Sequence, residues 1–307
     1  METEIPTDNP HELPLLGGIE AGGTKYVCAV ATSPDEPLLE KRFPTRNPEE
    51  TIEEAVQFFQ EAAKNYGPVR AMGIGTFGPA DIHVRSPGYG SILTTPKEGW
   101  EGFNVVNAIR EGMGAPIPIA FDTDVNAAVI GEAEYGAAKN HRFVAYVTVG
   151  TGIGAAYLHD GQLIHGRMHP EVGHMIMPDY DSAVGKNTNI CPFHESCLEG
   201  RAAGPAIKER WEIPGDQLPE DHEAWDLHAA YLAAGCVNLT AVWSPDLILL
   251  GGGVFQKAGL IDRVRREFER LSGGYWNLPP LDLYLQTPAL NQHAGIVGAL
   301  TLAQRLL

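Results

Sequence analysis

The chain has 307 residues, of which 44% are hydrophobic and 20% charged, a composition typical of a folded protein of about two domains. Its 22 lysines and arginines face 39 aspartates and glutamates, so the net charge of −17 argues against nucleic acid and anionic lipid as partners. No apolar run approaches the ~20 residues that span a bilayer, so we expect no membrane association.

The first fourteen residues are acidic and contain prolines, without the basic start and apolar core of a secretion signal. We expect them to be disordered and the protein to be cytoplasmic. Cys28 and Cys236 lie singly in apolar surroundings, whereas Cys191 and Cys197 lie close together in a polar segment. This pattern does not predict a disulfide framework. It predicts core packing for the first two cysteines and a metal site for the close pair.

In the first half, short apolar runs alternate with turns, and strands are predicted over 15–19, 26–31, 38–43, 69–75 and 117–121. Asn47 and Pro48 supply an N-cap and a first helical residue for a helix through Tyr66. A second helix is predicted over 125–138. Residues 77–103 are rich in Gly, Pro and Ser, which favours a functional loop, expected to close over a ligand, rather than a linker.

The second half repeats this pattern, with strands predicted over 143–149, 155–159, 247–250 and 283–286. Helices are predicted over 225–243, 260–271 and 295–307. Alternating strands and helices indicate an α/β protein, and two similar halves indicate two domains facing a cleft. We expect an amino-terminal domain over 1–122, on which the closing helix 294–307 packs, and a carboxyl-terminal domain over 123–293.

The glycines are concentrated in turns that follow apolar strands. Such a turn can bring bare backbone N–H groups against phosphate oxygens. Each turn taken alone is more typical of a tight hairpin, but three at corresponding places favour a phosphate clamp. None has the Walker or the Rossmann spacing. The residues concerned are Gly22, Gly23, Thr24 and Lys25, then Gly150, Thr151 and Gly152, and finally Gly251, Gly252 and Gly253.

An ordered set of segments resembles the ROK family of sugar kinases, which belongs to the actin-like ATPase superfamily. The segments are GGIEAGGTK, GIGTFGPAD, FDTDVNAA, YVTVGTGIG, EVGH, CPFHESCLEG and LILLGGGV. GYGSILTTPKEGW and the Cys-Pro-Phe-His-x-x-Cys segment resemble the bacterial fructokinase branch. The resemblance implies two actin-like, ribonuclease H-like domains flanking a cleft, a homodimer, and transfer of phosphate from ATP to fructose O6. In that family the segment 251–254 binds adenosine.

A sugar kinase needs a carboxylate near the attacking hydroxyl, because sugar hydroxyls are poor nucleophiles. Asp124 follows a predicted strand at the expected N-cap of a helix. Local sequence alone favours a mere cap, whereas the resemblance implies the catalytic base. Thr123 stands where many relatives carry Asn. Glu20 stands where most relatives carry Asp, and we expect it to serve Mg²⁺; the alternative is a solvated acid at a strand end.

Two imidazoles and two thiolates form a set suited to tetrahedral Zn²⁺, namely His174, Cys191, His194 and Cys197. Four protein ligands leave no open position, which favours structural zinc. Unrelated histidines and reduced cysteines are the alternative. The resemblance further implies that sugar hydroxyls contact Gly78, Thr123, Asp124, Glu171, His174 and Glu199. His174 would then bind zinc with one ring nitrogen and face the sugar with the other.

Three alternative functions stay open at this point. A kinase for glucose, mannose or an N-acetylated amino sugar would use the same acids. A sugar-responsive repressor would need a helix-turn-helix, for which the residues before the first strand are too few. A non-catalytic sugar-binding protein would not need Asp124 together with three glycine turns.

Overall fold

The computed structural model describes residues 13–95 and 97–307, so the expected disorder of residues 1–12 lies outside the described part. The chain divides into two compact units. One contains the described residues up to Asp124 together with Ala299–Leu307, and the other is Val125–Gly298. The domains expected from the sequence, 1–122 with 294–307 and 123–293, have slightly different bounds and stay a prediction.

The first unit is built on a five-stranded mixed sheet. Its strands are β1 (Leu15–Ala21), β2 (Lys25–Ser33), β3 (Glu36–Pro44), β4 (Val69–Thr76) and β5 (Ile119–Thr123). They are ordered β3-β2-β1-β4-β5. The central strand β1 pairs antiparallel with β2 and parallel with β4, and β4 pairs parallel with β5. The carboxyl ends of β1, β4 and β5 therefore meet at one edge of the sheet.

The second unit repeats this pairing. Its strands are β6 (Phe143–Val149), β7 (Ile153–His159), β8 (Gln162–Leu163), β9 (Leu247–Gly251) and β10 (Leu285–Gln286). They are ordered β10-β9-β6-β7-β8. Here β6 is antiparallel to β7 and parallel to β9. The predicted α/β class, with a second half that repeats the first, is confirmed.

Nine α-helices accompany the sheets in the described residues. They are α1 (Pro48–Tyr66), α2 (Val105–Met113), α3 (Asp124–Tyr135), α4 (Leu198–Ala202), α5 (Gly204–Trp211), α6 (Ala224–Trp243), α7 (Leu260–Ser272), α8 (Leu281–Tyr284) and α9 (Ala294–Gln304). In the part of the chain described, no helix combines the length and apolar character needed to cross a membrane.

The start of α1 follows the sequence signals closely. The Asn47 side chain accepts a hydrogen bond from the backbone N–H of Glu50 at 2.9 Å, and Pro48 is the first helical residue. Gly67 ends the helix with a φ of 85°, a conformation that glycine adopts without strain. The predicted helix is therefore confirmed at both ends.

Some elements of the structure differ from the sequence predictions. Helix α2 was not predicted, although Asn104 caps it by accepting from the N–H of Asn107 at 2.8 Å. The predicted strand 283–286 is helical up to Tyr284, whose ring is fully buried beside Phe268. Asp124 is the first residue of α3 rather than its N-cap. Burial of Tyr284 in the core favours the helical turn at 281–284, which the local sequence did not indicate.

The side chains of alternate residues in the central strand of the second sheet enter two different cores. Ala145, Val147 and Val149 pack on one face, and Val144 and Tyr146 on the other. Both faces of this strand are therefore covered, as its continuous apolar sequence requires.

Trp100 belongs to the core of the first unit. Its side chain is fully buried, its Nε1 donates to the carbonyl oxygen of Arg46 at 2.9 Å, and its ring contacts Tyr26 and Phe77. Packing thus accounts for this residue, and it offers no surface for closure over a ligand.

The closing helix lies close to the sheet of the first unit. A Cβ atom added to Gly73 in β4 would overlap the carbonyl oxygen of Ala299 in α9. Neither backbone can move far, because one belongs to a central strand and the other to a helix.

We expect Gly73→Ala to lower the free energy of unfolding by about 1–3 kcal/mol, the usual range for overpacking. Urea unfolding followed by circular dichroism measures it. Gly166→Ala is the control, because its added Cβ would lie 3.6 Å from the Met168 oxygen, and we expect a change within about 0.5 kcal/mol. Equal stability of both variants would show that the helix does not press on this strand.

Candidate active site

Acidic and hydroxyl side chains gather at the carboxyl edge of the first sheet. Glu20 pairs in register with Gly75, which pairs with Asp122 on the other side. One residue further along, Thr76 pairs with Thr123. Since β1, β4 and β5 are parallel, these residues end their strands at the same edge, and Asp124 follows directly as the first residue of α3. Two expected residues, Glu20 and Asp124, therefore share this edge.

The carboxyl group of Glu20 is largely removed from water. Its Oε2 is buried and has no hydrogen-bond partner among the described residues. Burial raises the pKa of Glu20 to about 7, and the charge of Asp124 adds to this, while Lys25 and Arg42 act in the opposite direction. A buried oxygen without a partner, beside a second carboxylate, suits a cation. The alternative of a solvated strand-end acid is inconsistent with this burial.

The two residues before Asp124 are more deeply buried than Asp124 itself. Asp122 is buried, and its Oδ1 accepts from the N–H of Thr123 at 2.8 Å. Thr123 is itself buried, whereas Asp124 is half-buried. Of the two carboxylates, Asp124 is the one that solvent reaches more readily.

The turn between β1 and β2 leaves much of its backbone open. Gly22 donates its N–H to the carbonyl oxygen of Lys25 at 3.0 Å, and its own carbonyl accepts from Thr45 Oγ1 at 2.7 Å. Gly23, Thr24 and Lys25 are exposed. Thr45 thus holds the base of the turn, while the tip with its hydroxyl and ammonium groups faces solvent.

Gly78 lies beside the same end of β1. The N–H of the preceding residue, Phe77, donates to the carbonyl oxygen of Ala21 at 2.7 Å, and Gly78 itself is exposed. The structure therefore places Gly78 near Glu20 and the first glycine turn.

The two glycine turns of the second unit are neighbours. Gly150 donates its N–H to the Gly152 oxygen at 2.9 Å, and Thr151 at the tip is exposed. Gly252 has a φ of 90°, and a Cβ there would overlap the backbone of Val149. Only glycine allows this approach. Gly253 begins a short 3₁₀ helix over Gly253–Gln256. The helix α7 therefore begins at Leu260 and not directly after the glycine turn.

The four expected metal ligands come together in the second unit. One donor atom from each of His174, Cys191, His194 and Cys197 lies within 4.8 Å of every other. Cys191 Sγ is 3.5 Å from His194 Nδ1 and 3.9 Å from His174 Nδ1. Tetrahedral Zn²⁺ with ordinary bond lengths would separate sulfur and nitrogen ligands by about 3.6 Å. Burial raises the pKa of Cys197 to about 11, so a thiolate there requires a cation.

The expected sugar ligands of the second unit belong to this cluster or lie close to its ligands along the chain. Along the chain, His174 is the first of the four metal ligands and Cys197 is the last. Glu171 directly precedes the 3₁₀ turn Val172–His174, and Glu199 lies in α4, two residues after Cys197. The Oε1 of Glu171 lies 3.4 Å from Nδ1 of His169. His169 lies in a loop but is buried.

Several polar residues at these sites were not predicted. Thr76 Oγ1 is buried without a partner among the described residues, and Thr45 anchors the first glycine turn. The buried side chain of Asn126 contacts His165 at 3.3 Å. Asp122 and Asn126 flank Asp124 within one short segment, a signal that the sequence already contained. Thr45 and Thr76 carry no comparable signal.

The sequence of this chain is similar to those of known proteins. The family model described as "ROK family" matches residues 16–306. The chain belongs to the ROK family. This ROK protein is 40% identical over 293 residues to the fructokinase of Pediococcus pentosaceus, covering 95% of this chain and 99% of the relative. It is 39% identical over 294 residues to the fructokinase of Streptococcus mutans, with coverages of 95% and 98%.

Solved structures agree with the family assignment. The ROK hexokinase from Thermus thermophilus superimposes on this ROK protein with a TM-score of 0.76 at 26% identity, covering 95% of this chain and 98% of that one. The predicted membership of the ROK family and the predicted actin-like α/β fold class are therefore confirmed.

The environment of Glu20 predicts how the stability of this ROK protein depends on pH. Without bound cations, the folded protein holds a proton on Glu20 between its ordinary pKa of 4.5 and about 7, whereas the unfolded chain releases it. The free energy of unfolding therefore falls as the pH rises through this range.

We expect wild type to lose stability relative to Glu20→Gln between pH 5 and pH 8, because the glutamine cannot ionise. Urea unfolding of both metal-free proteins at each pH measures the difference. Curves that stay parallel across this range would contradict the buried carboxyl.

Proposed function

We propose that the protein is a fructokinase, which transfers the γ-phosphate of ATP to O6 of D-fructose. The observation that carries this proposal is its similarity of about 40% identity, over nearly the full length of both chains, to proteins named fructokinase. The carboxylate edge of the first unit and the glycine turns of both units are consistent with it.

In the reaction, Asp124 acts as the general base. Its half-buried carboxylate accepts the proton of the fructose O6 hydroxyl as O6 forms a bond to the γ-phosphorus. The bond from this phosphorus to the bridging oxygen breaks, and ADP leaves with the bonding electrons. The neighbouring Asp122 is buried, and so is the poorer candidate.

The glycine turns bind the nucleotide in this proposal. Lys25 and the backbone of the first turn contact phosphate oxygens, because the tip of that turn is exposed and carries an ammonium group. The second turn, with Thr151, also binds phosphate. The third turn binds adenosine, where the absence of side chains leaves room for a flat base. Its members are Gly251, Gly252 and Gly253.

Glu20 serves Mg²⁺, directly or through water. Its buried, unpartnered Oε2 fits a cation, and the net charge of −17 leaves few lysines and arginines to balance a nucleotide. When bound, Mg²⁺ neutralises charge that develops on the phosphate oxygens. We therefore infer a strong dependence on divalent metal.

Sugar hydroxyls contact six residues in this proposal. Gly78, Thr123 and Asp124 come from the first sheet edge and the start of α3, and the others lie next to the His and Cys cluster. These others are Glu171, His174 and Glu199.

The cluster holds structural Zn²⁺. Two of its ligand separations, 3.5 and 3.9 Å, are close to those of tetrahedral geometry, and four protein ligands leave no position for water. His174 directs Nδ1 toward Cys191, which leaves Nε2 for a sugar hydroxyl. Zinc then orients a sugar ligand and takes no part in the chemistry.

We also infer a cytoplasmic homodimer. The homodimer is supported by the family resemblance.

The experiment that tests the function is a coupled assay of ADP formation with a panel of hexoses. We expect kcat/KM to be highest for fructose, compared with glucose, mannose and N-acetylmannosamine. A higher value for any other sugar would transfer the proposal to that sugar. No ADP formation with any of them would contradict a sugar kinase.

Asp124→Asn should retain the fold and fructose binding but lower kcat by about 10²- to 10⁴-fold, the usual contribution of a general base. Steady-state kinetics and calorimetric titration with fructose measure both quantities. Asp35→Asn, in the exposed β2–β3 turn, is the control and should keep wild-type kcat. Near-normal turnover of Asp124→Asn would remove this residue from the base role.

Cys191→Ser should abolish zinc binding and raise the fructose KM by about tenfold, the lower end for losing support of a ligand. Elemental analysis should find one zinc ion per chain in wild type. Cys236→Ala is the control, since this buried cysteine lies outside the cluster. Zinc loss with an unchanged fructose KM would disprove the link between zinc and sugar.

A further inference from the structure

Ile153, where the second glycine turn becomes β7, is held by two segments of the His and Cys cluster. Its backbone N–H donates to Oε2 of Glu199 at 2.9 Å. On the other side, Gly173 lies against its carbonyl oxygen so closely that an added Cβ would overlap that oxygen. Gly173 precedes the ligand His174, and Glu199 follows the ligand Cys197. Residues that neighbour two ligands of the cluster therefore contact the turn at Ile153.

Helix α4 lies between the cluster and a contact with the turn. At its N-cap, Cys197 Sγ accepts from the N–H of Gly200 at 3.3 Å. Two residues beyond its end, at the first residue of α5, the N–H of Gly204 donates to the carbonyl oxygen of Gly150 at 2.7 Å. Glu199 lies between these two contacts. A helix fixed at a ligand and at the turn holds its glutamate in a defined position.

The Glu199 carboxylate also fits against the glycine at the middle of the turn. A Cβ added to Gly152 would lie 2.6 Å from Glu199 Oε2. This separation is too short for a carbon and an oxygen that are not bonded. The carboxylate thus occupies the space that a side chain at residue 152 would take.

We propose that Glu199 is a positioning residue for the Gly150–Ile153 turn, in addition to any contact with sugar, and that the His and Cys cluster braces it through α4. The inference rests on the proposed function, in which this turn binds phosphate. The carboxylate orients the turn by accepting the Ile153 N–H, and removing it frees the turn. Nucleotide affinity then depends on Glu199 even when no sugar is present.

The test is a calorimetric titration of the zinc-loaded protein with the Mg²⁺ complex of a non-hydrolysable ATP analogue, without sugar. We expect Glu199→Ala to raise the Kd about tenfold, in keeping with the loss of a hydrogen bond to a charged group. Glu199→Gln should stay within about threefold of wild type, because its amide oxygen can still accept from Ile153. Equal Kd values for all three proteins would overturn the proposal.

Hydrogen exchange gives a second readout that needs neither nucleotide nor activity. The amide of Ile153 should exchange at least about tenfold faster in Glu199→Ala than in wild type, and wild type treated with a zinc chelator should change in the same direction. Glu199→Gln should retain protection. Unchanged exchange in Glu199→Ala would contradict the hydrogen bond as a brace.

The variants also separate this inference from the proposed function. If wild type binds no nucleotide, the proposed function fails, while the exchange measurement still tests the brace. If Glu199→Ala does not fold, Glu199→Met replaces it, since methionine keeps the length of the side chain without a strong acceptor. The expected results for Glu199→Met are the same.

Discussion

The parallel pairing of three strands in each sheet is the constraint on which the sites depend. In the first sheet, β1 is joined to β2 by a turn at its carboxyl end, and β4 and β5 run parallel to it. The turn and all three carboxyl ends therefore share one edge. The same arrangement around β6 brings the Gly150 turn next to the end of β9. The strand pairing alone thus brings the backbone of the turns and the side chains at the strand ends to the same edge.

The two sheets use this shared topology for different chemistry. At the end of β1, Glu20 pairs with Gly75 of the neighbouring parallel strand; at the end of β6, Thr148 pairs with Gly251 in the same way. Only the first edge therefore carries a carboxylate at this position, and Asp124 follows there. The second edge carries no acid at the equivalent residue, and its turn is held from outside by Glu199. The first edge therefore offers carboxylates for proton transfer or for a cation, whereas the second unit combines the braced glycine turn with the His and Cys cluster.

Elements with local signals were predictable from the sequence. Asn47 and Gly67 delimit α1, and the spacing of Cys191, His194 and Cys197 predicted the ligands that the structure brings together. Contacts between distant residues were not predictable. Glu199 and Ile153 are 46 positions apart, so nothing in either segment announces their hydrogen bond. The burial of Glu20 likewise depends on the strands around it, and a strand-end acid in sequence looks the same whether solvated or buried.

The central claim is that these two edges serve a fructose kinase. The most direct test is ³¹P and ¹³C NMR of the product formed from fructose and ATP by the purified protein with Mg²⁺. A fructokinase gives a new phosphomonoester, with phosphorus coupled to the carbon at position 6 of fructose. Phosphate on another position, or hydrolysis of ATP without a sugar phosphate, would contradict it.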